Sequence, residues 1–331
     1  MSQPPIVPPQ IVPAQPDPWH VLRQLTPARI GLGRAGGSIP TTQLLDFQLA
    51  HARARDAVHR DFDIEAFSAK LRSKQFDTLV LTSAAGERHT YIQRPDLGRI
   101  LDDKSKSLLE TRTRPHAWDA VFVIADGLSA LAVERHALPL IEMMRDHLQH
   151  ESWSLAPCCL VKQGRVAIGD EIGALLPAQL SVMLIGERPG LSSPDSLGAY
   201  LTWNPLPGRS NAERNCVSNI RPQGLSYAAA AFKLLHLMRE SRNRKLSGVA
   251  LKEEALLPDA QPAVGVDAGD EGEPERAHRT RRNTRSRTSW PRSSPRCSNL
   301  VTGRCAGRGV NPSAVFSRNG SAVSASSMAS A

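Results

Sequence analysis

The chain lacks any apolar run near the roughly 20 residues that a membrane-crossing helix needs, although 40% of its 331 residues are hydrophobic. Its N-terminus, MSQPPIVPPQIVPAQPDPW, has neither a basic n-region nor an apolar h-region. Neither a signal peptide nor a membrane anchor is expected there. Cysteine is scarce: five residues, two of them adjacent at Cys158-Cys159. An odd count without framework spacing argues against disulfides and suits a reducing compartment. The histidines are scattered, and no pair has a zinc spacing. His147 and His150, three apart near a predicted helix end, read as partly exposed terminal residues. There is no G-x-S-x-G elbow and no Walker P-loop. The chain therefore shows no self-contained catalytic constellation.

Charge is present but uneven. The formal net charge is +9, yet from Leu257 onward there are eleven arginines, no lysine and six acidic residues. That tail carries +5, leaving an ordinary +4 for the rest. Nucleic-acid binding through the Arg-rich tail is one reading, and its affinity would fall steeply with salt. It is not the favoured one, and no nucleic-acid partner is expected. At the other end, residues 1–18 contain seven prolines, which predicts an extended, disordered arm. The tail 255–331, rich in Arg, Ser and Ala, has almost no periodicity and too little apolar surface to offset its ordering entropy.

Between these ends the apolar spacing changes character. Residues 19–74 read as a short helical N-terminal domain. Trp19–Leu25 is a brief amphipathic piece. Thr41–Val58 places Leu44, Leu45, Phe47, Leu49, Ala52 and Val58 near helical spacing, and Ile64–Leu71 is a third helix. Ser38 or Thr41 would cap the second, with Pro40 in its first turn. From residue 75 to 254, strand-length and helical runs alternate. Thr78–Thr82, Ala120–Ala125, Leu155–Val161, Gln179–Ile185 and Leu197–Trp203 have strand length, and 94–109 reads as a loop entering a helix. Ala130–His150, Asp170–Leu176 and Ser226–Ser241 are helical. This rhythm predicts an α/β domain of Rossmann-like type, with a mostly parallel sheet and helices on both faces.

Two motifs invite chemistry. Gly31-Leu32-Gly33-Arg34-Ala35-Gly36 is a literal G-x-G-x-x-G, and the rival reading is a stand-alone NAD(P)-binding oxidoreductase. The context is wrong: Leu25–Ile30 contains a proline and a charge, Gly37–Pro40 delays helix entry, and no acidic strand end follows at the right distance. A glycine-rich turn before a helix is the better account. Asp126-Gly127 follows a predicted buried strand and reads as a turn and helix cap before it reads as a ligand site. Glu187, after Gln179–Ile185, stands where an open α/β sheet binds ligands. On residues alone, Glu187 and Arg188 could equally be a surface pair, and Cys216 a small buried hydrophobe.

Several ordered segments change this balance: Gly33-Arg34-Ala35-Gly36, Arg94-Pro95-Asp96-Leu97-Gly98-Arg99, Asp126-Gly127-Leu128-Ser129, Gly164-Arg165-Val166, Gly186-Glu187-Arg188-Pro189-Gly190-Leu191 and Asn215-Cys216-Val217-Ser218-Asn219-Ile220-Arg221-Pro222. Together, from about Asp17 to about Glu254, they resemble the small subunit of ethanolamine ammonia-lyase. The resemblance implies a role in an adenosylcobalamin-dependent radical lyase that converts ethanolamine to acetaldehyde and ammonia. It implies that Val166, Glu187 and Cys216 contact cobalamin in its base-on form, none of them binding cobalt. It also implies a large-subunit partner carrying the substrate site, six large with six small subunits, in a bacterial microcompartment or the cytoplasm. The Gly33–Gly36 segment is expected to face that partner.

Overall fold

The computed structural model describes residues 14–112 and 116–251. Residues 1–13 and the tail from 252 lie outside these, and so do the expectations placed on them. Six strands form one sheet: β1 (Thr78–Thr82), β2 (Trp118–Ala125), β3 (Cys158–Lys162), β4 (Ala178–Gly186), β5 (Leu197–Trp203) and β6 (Arg214–Ile220). Their order is β1-β3-β2-β4-β5-β6. The first four in that order are mutually parallel; β5 is antiparallel to β4, and β6 to β5. The sheet is thus mostly parallel, as the alternating rhythm predicts.

The central strands are apolar along their whole length because helices cover both faces. Phe122, Ile124, Leu160 and Val182 pack with α2 (Ile64–Ser73), α5 (Ala130–His150) and α7 (Tyr227–Arg244). Val121, Val123, Cys159 and Met183 pack on the other face with α4 (Asp103–Glu110) and α6 (Ile168–Leu175). Each large side chain buried in this way is worth about 1.5–3 kcal/mol. The helix starts follow ordinary capping chemistry: Asp63, Asp102, Ser129 and Ser226 each accept a first-turn backbone N–H. α5 runs unbroken through Pro139.

Several expectations need correction. The helix α1 (Thr41–His59) is present, but Pro40 is its N-cap and neither Ser38 nor Thr41 caps it. Its large apolar residues do not form a core face: it buries Ala50 and Ala57, while Leu45 is 58% and Leu49 51% exposed. Trp19–Leu25 is a 3-10 helix, Pro18–Gln24, that buries nothing. β3 starts at Cys158, because Pro157 has no N–H for the ladder; Leu155 makes only an isolated bridge to Ala120. A short helix, α3 (Arg88–Gln93), was not anticipated; its buried residue is Tyr91. Gly31–Gly36 joins the 3-10 helix to α1 and follows no strand. Gly31, Gly33 and Gly36 all have positive φ, so turn geometry accounts for these glycines. Among the described residues no helix is long and apolar enough to cross a membrane.

Candidate functional site

Parallel strands end at one edge of a sheet, and here that edge gathers the loops after β2, β3 and β4. The chain leaves β2 for β3 on one side and returns from β3 to β4 on the other. A crevice forms where connections part in this way. Two glycines let the loops after β2 and β4 touch. A Cβ on Gly127 would stand 2.3 Å from the Gly186 carbonyl oxygen, and one on Gly186 would stand 2.1 Å from that of Ser129. The Leu128 N–H donates to the Gly186 carbonyl at 2.9 Å. Beside this contact lies an open cleft of about 430 Å³ lined by Tyr91, Arg165, Val166, Ile185, Glu187 and Tyr200, among others.

Val166 and Glu187, distant in sequence, are therefore brought together. Glu187 is held by its own chain: Ser196 Oγ and the Asn219 N–H (3.2 Å) donate to Oε2, and Ser218 Oγ donates to Oε1. Gly198 leaves room for it, since a Cβ there would meet Oε1 at 2.9 Å. A carboxylate offers about four acceptor positions, so three internal donors leave capacity for one more. Cys216 does not line the cleft. It pairs with Tyr200 across β5 and β6, and strand alternation puts Tyr200, Cys216 and Ser218 on one face. Cys216 and Ser218 are exposed there. Partial desolvation raises the pKa of the Cys216 thiol, its hydrogen bond with Tyr200 opposes this, and the Glu187 charge adds to it. The thiol is thus neutral at neutral pH and poorly suited to nucleophilic attack.

Asp126 faces inward. Its side chain is 1% exposed and lies 3.5 Å from Arg88 Nη1, and it accepts the Gly164 N–H at 3.3 Å. Burial pushes its pKa up to about 6, against the Arg88 charge and backbone donors that pull it down. Arg88 also donates to the carbonyls of Val58 and Gly127, both at 2.7 Å, and to Gln163 Oε1 at 3.2 Å. The Tyr91 ring has Arg88 at 5.0 Å and Arg165 at 4.2 Å from its centroid, and its hydroxyl donates to the Gly164 carbonyl at 3.1 Å. This buried cluster ties α3 to the loops that carry Gly127 and Val166.

The loop after Glu187 has its own anchor. Asp195 meets Arg135 Nη1 at 2.8 Å, His136 Nε2 at 3.5 Å and Arg221 Nη1 at 3.8 Å. Ser129 Oγ donates to the Pro194 carbonyl at 2.8 Å. Sequence reasoning missed Tyr91, Arg165, Ser196, Tyr200 and Ser218. Only alternation about Cys216 offered a signal, and for Ser218 alone; Tyr200 is set by the β5–β6 register. His147 and His150 are exposed at the end of α5, and among the described residues no cluster suited to holding a metal ion occurs.

The chain is an α/β protein with an open cleft at the carboxyl edge of a mostly parallel sheet, the position at which such sheets bind ligands. Its sequence places it further. The chain belongs to the ethanolamine ammonia-lyase light chain (EutC) family, whose pattern matches residues 16–252. It is 55% identical over 269 residues to the ethanolamine ammonia-lyase small subunit of Pseudomonas fluorescens (strain Pf0-1), covering 81% of this chain and 96% of that one. The small subunit of Pseudomonas aeruginosa (strain LESB58) is 59% identical over 245 residues, covering 72% and 88%. That of Azotobacter vinelandii is 59% identical over 245 residues, covering 73% and 91%. The chain is accordingly a component of a carbon–nitrogen lyase.

Proposed function

We propose that this chain forms one wall of a cobalamin site completed by a large subunit, within a lyase that turns ethanolamine into acetaldehyde and ammonia. The observation carrying this reading is that Val166 and Glu187 line one cleft that is open on one side. Bound adenosylcobalamin would supply the radical chemistry, as cofactors do. This chain would bind and orient. Glu187, already fixed by Ser196, Ser218 and Asn219, has an acceptor position free for a corrin-rim amide. Val166, Ile185 and Tyr200 offer apolar surface to the macrocycle. Cys216 lies one strand further, exposed on the same face. A pocket near 430 Å³ is at the small end of the roughly 300–1,000 Å³ that enclose drug-sized ligands. A corrinoid is larger, so the cleft fits part of it and needs an opposing wall.

The partner's docking surface follows from α1. A helix that exposes Leu44, Leu45, Phe47 and Leu49 leaves four large apolar side chains for a partner to cover. It adjoins the cleft side: Arg88 Nε donates to the Val58 carbonyl, and Ser192, in the loop after Glu187, donates to the Pro27 carbonyl at 3.4 Å. One large subunit would thus cover both helix and cleft. Six large with six small subunits is the proposed assembly, in a microcompartment or the cytoplasm, with base-on cofactor.

The test is co-purification with the large subunit, followed by absorbance titration with hydroxocobalamin. The wild-type complex should bind it. Glu187→Ala should weaken binding by about tenfold or more, the worth of one hydrogen bond to a charged group. An unchanged titration would remove Glu187 from the site; no binding by the wild-type complex would remove the cofactor reading.

A further inference from the structure

A second basin adjoins the cleft and has no role in the reading above. It encloses about 360 Å³, and Arg99, Arg165, Val166, Arg209, Ser210 and Arg214 are among its lining residues. Arg165 and Val166 line both basins, so a single ligand could span the two. The loop geometry sets the arginines beside one another. The Arg165 N–H donates to the Gly98 carbonyl at 2.7 Å, and a Cβ on Gly98 would stand 2.8 Å from Arg165 Cγ. This close fit seats Arg165 next to Arg99. On the far wall, Arg214 Nη2 donates to the Arg209 carbonyl at 2.8 Å.

The charge balance is the telling feature. Arg214 is committed to Asp170 through bonds of 2.6 and 2.7 Å. Arg209 is paired with Glu213. Arg165 is held against the Tyr91 ring and donates to the Tyr91 carbonyl at 3.1 Å, but it has no carboxylate partner among the described residues. Arg99 is exposed and likewise has none among them. Two guanidinium charges without a carboxylate partner among the described residues are therefore left beside the cleft, that of Arg165 held by Tyr91. Guanidinium forks match phosphate oxygens in geometry and charge.

We propose that this basin is a phosphodiester subsite, and that it takes the phosphate in the nucleotide loop of the same cobalamin whose corrin lies against the adjoining cleft. The inference rests on the cofactor reading above. Arg99 and Arg165 supply the charge, while the Ser210 hydroxyl is committed to Glu213 Oε2 at 3.0 Å. Val166 forms the ridge between the corrin side and the phosphate side.

The experiment compares cyanocobalamin with cyanocobinamide, which lacks the nucleotide loop and its phosphate. Both are titrated by equilibrium dialysis into the assembled two-subunit complex, as wild type and as Arg99→Gln and Arg99→Glu. Arg99 is exposed and unpaired, so these changes leave the fold intact. The expected result is a loss of cyanocobalamin affinity of about tenfold for Arg99→Gln, a greater loss for Arg99→Glu, and no loss for cyanocobinamide. Equal losses for both corrinoids, or none for either, would overturn the phosphate assignment and leave the cofactor reading standing. A second source of the same anionic chemistry is a carboxylate of the large subunit. Weaker subunit association in Arg99→Glu without cofactor, measured by sedimentation, would assign the basin to that carboxylate and overturn the proposal. Failure of the wild-type complex to bind either corrinoid would sink the cofactor reading itself.

Discussion

Asp126 makes the chain's stability depend on pH in a direction opposite to that of most carboxylates. Its pKa is pushed from 3.8 to about 6 by burial. For a group whose folded-state pKa is raised, the favourable contribution is fully present below the unfolded value. It is lost as pH rises through the folded value. The window is thus set by 3.8 and about 6. At about 1.4 kcal/mol per pKa unit, ionising Asp126 costs the fold about 3 kcal/mol between about pH 4 and pH 7. The perturbation that isolates this is Asp126→Asn. The amide oxygen still accepts the Gly164 N–H, and the side chain cannot ionise. Urea unfolding of the isolated chain, followed by far-UV circular dichroism across that range, gives both curves. The two proteins should be similar in stability at the acid end. The variant should gain on the wild type by about 3 kcal/mol towards neutrality, even though it removes the partner of Arg88. Parallel curves would refute the argument. A difference growing in favour of the wild type would show that Arg88 outweighs desolvation and holds Asp126 ionised.

Two further predictions concern the basin wall and the exposed helix. Arg214 and Asp170 are a buried bidentate pair, their side chains 3% and 2% exposed. Arg214→Met should therefore cost about 3–5 kcal/mol, because it strands a buried carboxylate. Adding Asp170→Asn should recover part of that in denaturant titrations, and a single-variant cost below about 1 kcal/mol would refute the pairing's importance. Leu45→Glu on α1 should leave the isolated chain within about 0.5 kcal/mol of wild type, as for other surface changes. The same variant should weaken association with the large subunit by about tenfold or more on sedimentation; undiminished association would remove α1 from the interface.

The fold was legible where burial and local sequence agree. Thr78–Thr82 is a strand with the anticipated bounds, and Ala130–His150 is a helix with the anticipated bounds despite Pro139. β4 was legible because a central parallel strand is apolar on both faces, and Gly186 ends it for a reason the loop contact supplies. The failures have physical causes. α3 spans six residues with one buried side chain, too few for a periodicity to register. At the site, Glu187 was visible as a charged residue at a strand end. Its donors were not: Ser218 reaches it only because β5 and β6 pair in the register that sets Cys216 opposite Tyr200. That register is a long-range fact. The two arginines against Tyr91 were equally hidden, since Arg88 and Arg165 are brought together by the order of strands.

α1 shows a different limit, because its helix was legible in the spacing and what packs on it was not. The spacing of Leu and Phe predicts a helix; it does not state what covers those side chains. The hydrophobic effect is non-directional, so a core stripe and an interface stripe obey the same spacing rule. The small residues decide between them. Ala50 and Ala57 are what α1 turns towards the rest of the chain, and alanines bury too little area to hold a 19-residue helix by themselves. Arg60 reaching Glu134 at 2.7 Å is a half-exposed pair that adds at most about 1 kcal/mol. A helix so lightly attached, with its bulky side chains facing outward, is balanced only when something else packs on it. The segment 14–60 has six arginines, three aspartates and no glutamate or lysine. The surface that completes α1 should therefore be apolar at its centre and acidic at its rim, a demand that the large subunit's sequence can be asked to meet.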